Sequence, residues 1–92
     1  MENTRIHLWI SGKVQGVFFR QSMKYRADIQ ELTGWVKNLE DGRVESIIEG
    51  PKARIERILK WCKNGPSNAN VGEINKKEEK YTGEFNEFSI IF

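Results

Sequence analysis

Gly34-Trp35-Val36-Lys37-Asn38-Leu39-Glu40-Asp41-Gly42-Arg43-Val44-Glu45-Ser46-Ile47-Ile48-Glu49 is the stretch whose reading decides the fold. Residues 34–39 read as one strand and residues 43–49 as the next, joined by an Asp-Gly turn signal at Glu40-Asp41-Gly42. The hairpin needs partners on both sides. Toward the N-terminus, Gln21 to Leu32 holds no glycine or proline and is rich in helix formers, which predicts a helix. Its apolar stripe is thin: Met23 and Ala27, with Tyr25, Ile29 and Leu32 as further candidates. Earlier still, Ile6, Leu8 and Ile10 alternate with His7, Trp9 and Ser11, the period-two pattern of a half-buried strand over about residues 5 to 12.

Downstream, Gly50-Pro51 opens a second helix, with Pro51 suited to its first position. Ile55, Ile58, Leu59 and Cys62 fall at i, i+3, i+4 and i+7, an amphipathic stripe, and Asn64-Gly65-Pro66 stops it. A strand is expected from Val71 to about Tyr81. Its mixed run Asn75-Lys76-Lys77-Glu78-Glu79-Lys80 reads as a solvated edge. Thr82-Gly83-Glu84 turns the chain, and Phe85 to Phe92 ends it as a last strand with Phe88, Ile90 and Phe92 in alternation. The order is β-α-β-β-α-β plus one short strand. It predicts an α+β, ferredoxin-like sandwich: a mostly antiparallel sheet of four to five strands with two helices on one face. With 92 residues and no linker or repeat, one domain over 1–92 is expected.

Composition narrows the chemistry. Hydrophobic residues make up 38% and charged residues 30%, which suits a globular domain rather than a disordered one. No apolar run approaches the ~20 residues that cross a bilayer, and the first residues do not read as a signal peptide. Cys62 is the only cysteine and His7 the only histidine, so an internal disulfide is excluded and a zinc site has little support. These features lead to the expectation of a cytoplasmic protein working without metal or cofactor. The net charge of +2 fits a small anion as well as weak nucleic-acid affinity and decides neither.

The loop Gln15-Gly16-Val17-Phe18-Phe19-Arg20 leads from a strand into a helix N-terminus, where unpaired amides and the helix dipole favour an anion. Gly16 allows the turn, and the Arg20 guanidinium can grip two phosphate oxygens at once. The pattern is neither the nucleotide P-loop nor a dinucleotide fingerprint. Taken alone it leaves two readings open, a phosphate cradle or a tight loop with a surface arginine. Topology adds to it. In a split βαβ unit the first and second strands run parallel around the third, so Arg20 and Asn38 come to the same sheet edge. No Ser-His-Asp or Cys-His set is available, so an enzyme of this sequence needs a substrate whose leaving group departs without protonation. Acyl phosphates meet that condition, because phosphoryl transfer depends chiefly on positioning and charge stabilisation. A neutral amide such as Asn38 can hold a water without acting as a base.

Ile10-Ser11-Gly12-Lys13-Val14-Gln15-Gly16-Val17-Phe18-Phe19-Arg20 resembles the acylphosphatase signature Gly-x-Val-Gln-Gly-Val-x-Phe-Arg. Gly34 to Val44, with Gly50 six residues on, resembles the family's second signature, and weaker echoes follow at Gly65 to Val71 and at Phe88-Ser89-Ile90. The resemblance spans essentially the whole chain. It implies hydrolysis of small acyl phosphates to carboxylate and inorganic phosphate, with no metal, cofactor or covalent phosphoenzyme. It gives Arg20 the part of phosphate-binding arginine, the amides of Gln15, Gly16, Val17, Phe18 and Phe19 that of cradle, and Asn38 that of water-orienting residue. One departure stands out: Gln30-Glu31 occupy positions where such proteins commonly read Leu-Gly, which predicts a first helix ending without a left-handed glycine cap.

Three other readings carry different expectations. An RNA-recognition module shares the element order, but its aromatics stand on a strand face, whereas Phe18 and Phe19 lie in the loop; no nucleic-acid partner is expected. A domain that kept the fold and lost activity would be expected to have lost Arg20 or Asn38. A segment of a larger carbamoyl-transfer protein is disfavoured by the short chain. No membrane partner is expected, and the chain is expected to be a monomer. One of Phe18 and Phe19 should pack the core and the other should line the rim.

Overall fold

The structure, a computed structural model, describes residues 2–92. The chain forms β1 (Asn3–Lys13), α1 (Phe19–Ile29), β2 (Thr33–Asn38), β3 (Val44–Pro51), α2 (Lys52–Cys62), β4 (Asn70–Glu79) and β5 (Phe88–Ile91). These strands make one sheet in the order β4-β1-β3-β2-β5. Pairings are antiparallel except for the parallel pair β2–β5. β3 lies between β1 and β2, as the split βαβ reading requires, and the sheet is the expected mixed one of five strands with two helices.

Alternation along β1 sorts its side chains. Ile6, Leu8 and Ile10 enter the core, with Val36, Val44, Ile48 and Phe88 from the other strands. Phe19, Met23 and Ala27 of α1 and Ile55, Ile58 and Cys62 of α2 close over them. The other side of β1 carries a polar network. His7 stacks on Trp9 at 3.9 Å and bridges Glu45 (2.6 Å) and Glu79 (3.0 Å). Arg5 pairs with Glu49, Glu79 and Glu84. Gly34 shows why the hairpin needs glycine where β2 crosses β3: at φ 136° a Cβ would stand 1.9 Å from the carbonyl oxygen of Ile47.

Several boundaries differ from the sequence reading. α1 spans Phe19–Ile29 rather than 21–32, because burying Phe19 draws the first turn back into the loop. Tyr25 and Ile29, candidates for its stripe, are exposed, and Leu32 is buried beyond its end. The left-handed cap persists without glycine. Glu31 sits at φ 56°, its amide donates to Asp28 (3.1 Å) and the Leu32 amide to Ala27 (2.9 Å), the bonding of a Schellman motif. Burial of Leu32 against Gly50 holds this end in place. Pro51 stands one place earlier than expected, capping α2 at φ −60°, ψ 133°. β4 is the sheet edge that its charges suggested, over residues 70–79. β5 covers Phe88–Ile91, shorter than the expected 85–92, and the turn before it is held to the sheet where Thr82 and Gly83 N–H donate to the buried Glu49 carboxylate at 2.9 and 3.0 Å.

Candidate active site

β1 and β2 deliver their C-terminal ends to the same end of the sheet. Val44 of β3 pairs with Ile10 on one side and Asn38 on the other, so Asn38 stands level with Ile10, near the end of β1 and two strand spacings or about 10 Å away. The loop leaving β1 spans that gap. Val14 and Val17 anchor it in the core, and the buried Phe19 ring packs against Trp61 at 5.2 Å. Gly16 has φ 74° with open space where a Cβ would stand, so backbone conformation and not crowding calls for glycine there.

Phe18 ends the loop as N-cap of α1 in the left-handed region (φ 64°, ψ 26°), and no side chain caps the helix. The first intrahelical bond runs from Ser22 N–H to the Phe18 carbonyl (3.0 Å), which leaves the first-turn amides of Phe19, Arg20 and Gln21 without intrahelical partners. The first turn holds no acidic residue to neutralise the positive end of the helix dipole. The phenyl rings divide as expected: Phe19 is core and Phe18 is 69% exposed at the rim.

Arg20 and Asn38 line one hollow of about 140 Å3, together with Val14, Gly16, Phe18, Phe19 and Gln21. Among the described residues no carboxylate lies within ion-pair distance of Arg20. Its guanidinium instead lies 5.2 Å from the Phe92 ring centre. The Asn38 side-chain oxygen is buried without a hydrogen-bond partner, an arrangement that costs about 1–3 kcal/mol until a donor arrives. Three larger hollows lie elsewhere: two of about 310 and 320 Å3 along α2 and β4, and one of about 410 Å3 beside α1 and Trp61. The first two mix lysines with glutamates and the third holds Arg26 without an acid; the smaller hollow is the one that adds to its cation the unpaired Asn38 oxygen.

Gln15, expected to offer only its backbone amide, also uses its side chain. Its side-chain nitrogen donates to the carbonyls of Leu39 (2.7 Å) and Arg43 (3.0 Å), tying the loop to the β2–β3 turn next to Asn38. No sequence signal marks a contact across 24 and 28 residues. Burial pushes the Cys62 thiol up to about 12, so this cysteine stays protonated and unreactive. Among the described residues no group of three or more His, Cys, Asp or Glu side chains comes together to hold a metal ion. Among the described residues no helix is long and apolar enough to cross a membrane.

The chain is similar to known proteins over nearly its whole length. The acylphosphatase family model matches residues 6–90. An acylphosphatase of Pyrobaculum islandicum is 51% identical over 92 residues, covering 99% of this chain and 97% of its own length. The crystal structure of an acylphosphatase from Bacillus subtilis superposes with a TM-score of 0.93 at 36% identity, over 97% of this chain and 99% of that one. An acylphosphatase structure from Coxiella burnetii gives a TM-score of 0.91 at 40% identity, over 97% and 93%. The chain belongs to the acylphosphatase family.

Proposed function

We propose that the chain hydrolyses the carboxyl-phosphate bond of small acyl phosphates by direct attack of a water on phosphorus, without metal or covalent intermediate. The amides of Gln15 to Phe19, the first turn of α1 and the Arg20 guanidinium receive the phosphoryl oxygens. Asn38 accepts a hydrogen bond from the attacking water. The water's oxygen bonds to phosphorus, the bridging oxygen leaves with its electron pair as carboxylate, and the water's protons pass to phosphate and solvent. No general acid is needed, because a carboxylate is a stable leaving group. The observation that carries this reading is the unpaired Asn38 oxygen, buried in the same hollow as the carboxylate-free Arg20.

The test is a substrate panel. Acetyl and benzoyl phosphate should be cleaved with EDTA present, phosphate monoesters should not, and inorganic phosphate should compete. Acid-quenched turnover of a radiolabelled acyl phosphate should leave no label on the protein. A folded protein inactive toward every acyl phosphate would sink the reading, and trapped label would sink the direct-water step. A monomeric, cytoplasmic protein of one domain, with no nucleic-acid partner, remains part of the proposal.

A further inference from the structure

We infer that a second oxyanion site, suited to a phosphate dianion, lies between the C-terminal end of α1 and the middle of α2, at Arg26, Gln30 and Arg57. It stands apart from the candidate active site, because its hollow shares no lining residue with the one that holds Arg20 and Asn38.

The pairing of the arginines singles the place out. Arg5, Arg43 and Arg54 pair with carboxylates, and Arg20 belongs to the candidate active site. Among the described residues Arg26 and Arg57 have no carboxylate within ion-pair distance. The fold brings these two to one hollow of about 70 Å3, lined by no acid, where their like charges repel without an offset. The carboxylates nearest in sequence to the end of α1, Asp28 and Glu31, are engaged by Lys24 and Arg54. The carbonyl end of α1 contributes about half a negative charge, which two guanidiniums outweigh.

The donors are already held. The Arg26 guanidinium lies 5.0 Å from the Trp61 ring centre. A guanidinium over an indole uses its face, which leaves the N–H edge for a ligand. Arg57 donates from Nη1 to Gln30 Oε1 at 3.2 Å. That bond occupies the only acceptor of the Gln30 carboxamide and turns its Nε2 into a further donor. Gln30 is also one of the two residues at which the chain departs from the Leu-Gly common in its family, and a leucine there has nothing to donate. The hollow therefore offers donors from three side chains, and the ligand that matches has acceptors on all sides and negative charge. A phosphate dianion meets both guanidiniums, each through a pair of oxygens, whereas a carboxylate satisfies one and leaves the other. Space is sufficient, since a single water needs only about 10–15 Å3. A bound phosphate bridges Arg26 of α1 to Arg57 of α2.

The experiment follows nitrogen–proton correlation spectra as inorganic phosphate is added to the wild type and to Arg20→Ala, with potassium chloride at matched ionic strength as control. In both proteins the Gln30 side-chain amide, the Arg57 Nε–H and the Trp61 indole N–H should shift saturably. Half-saturation should fall at about 1 mM, the order that suits a few charge-assisted contacts open to solvent. Arg26→Gln and Arg57→Gln, each checked for folding by Tm, should raise that concentration about tenfold. A parallel titration with phenyl phosphate distinguishes the sources: tighter binding of the ester assigns the site to organic phosphates, tighter binding of the inorganic ion to phosphate itself. Shifts that chloride reproduces overturn the inference. So do shifts that persist unchanged in both arginine variants, or the lack of any shift at about ten times the expected concentration. The backbone amides of Gln15 to Phe19 report on the candidate active site separately, so silence there counts against the proposed function and not against this second site.

Discussion

Arg20 and Asn38 illustrate how far single residues can be argued. Arg20 presents a planar donor edge with no carboxylate to neutralise it, and Asn38 presents an acceptor with nothing to accept from. Their losses should therefore differ in kind. Arg20→Ala should weaken inhibition by inorganic phosphate and nearly abolish turnover. Asn38→Ala should lower kcat by about 10²–10³, the order seen when one positioned hydrogen bond is removed from a transition state, while phosphate inhibition stays within about threefold because the amide grips no phosphate. Equal loss of binding in Asn38→Ala would contradict the water-orienting role. Glu31 supplies a stability test away from the site. It occupies the left-handed position of the α1 cap, and its pairing with Arg54 at 3.4 Å is solvent-exposed, so little is forfeited by removing the side chain. Glu31→Gly should stabilise the fold by about 1 kcal/mol, a Tm rise of about 5 °C by thermal unfolding.

At the scale of elements, the site is a junction between the β1–α1 loop and the end of β2. Three apolar anchors, Val14, Val17 and Phe19, seat the loop, and the Gln15 side chain locks it to the β2–β3 turn. This brace sets the distance between the amides of the β1–α1 loop and Asn38. Gln15→Leu keeps the shape and removes both hydrogen bonds. It should cost about 1–2 kcal/mol in urea unfolding and lower kcat/KM about tenfold or more, since small misplacements near a reacting centre are expensive. A stability loss with kcat/KM unchanged would show that the brace holds the fold alone. The same scale explains the boundary differences. Helix propensity reads residues 21–32 evenly, but burial of Phe19 and of Leu32 decides where α1 begins and ends.

Across the whole molecule, a buried carboxylate holds the last connection to the sheet. Glu49 lies on β3 and accepts hydrogen bonds from Thr82 N–H, Thr82 Oγ1 and Gly83 N–H, with Arg5 at 3.2 Å. Burial alone would raise its pKa, but these donors outweigh it and hold the carboxyl below the usual glutamate range. Hydrogen bonding from His7 likewise lowers Glu79, and the Arg43 amide lowers Asp41. A depressed folded-state pKa gives stability that is full above the unfolded carboxylate pKa and is lost as pH falls through the folded value. Tm should therefore stay level from neutral pH to the top of the carboxylate range and decline below it. Glu49→Gln should lower Tm at neutral pH and flatten that decline, because the neutral amide no longer titrates. A decline as steep as in the wild type would assign acid sensitivity to other groups.

The sequence by itself determined the element order, the sheet topology that follows from it, and the two signatures containing Arg20 and Asn38, because period-two and helical patterns, turn residues and short motifs are local. It also foretold the charged edge strand, since charge on a solvated strand needs no partner to be legible. Tertiary structure alone decided what depends on contacts between distant residues: the Gln15 brace, the Glu49 clasp on Thr82 and Gly83, the glutamate in a cap usually given to glycine, and the unpaired oxygen of Asn38. Each is a hydrogen-bonding or packing choice made after the chain has closed. Its energy comes from burial and partner supply, which no short window of sequence contains.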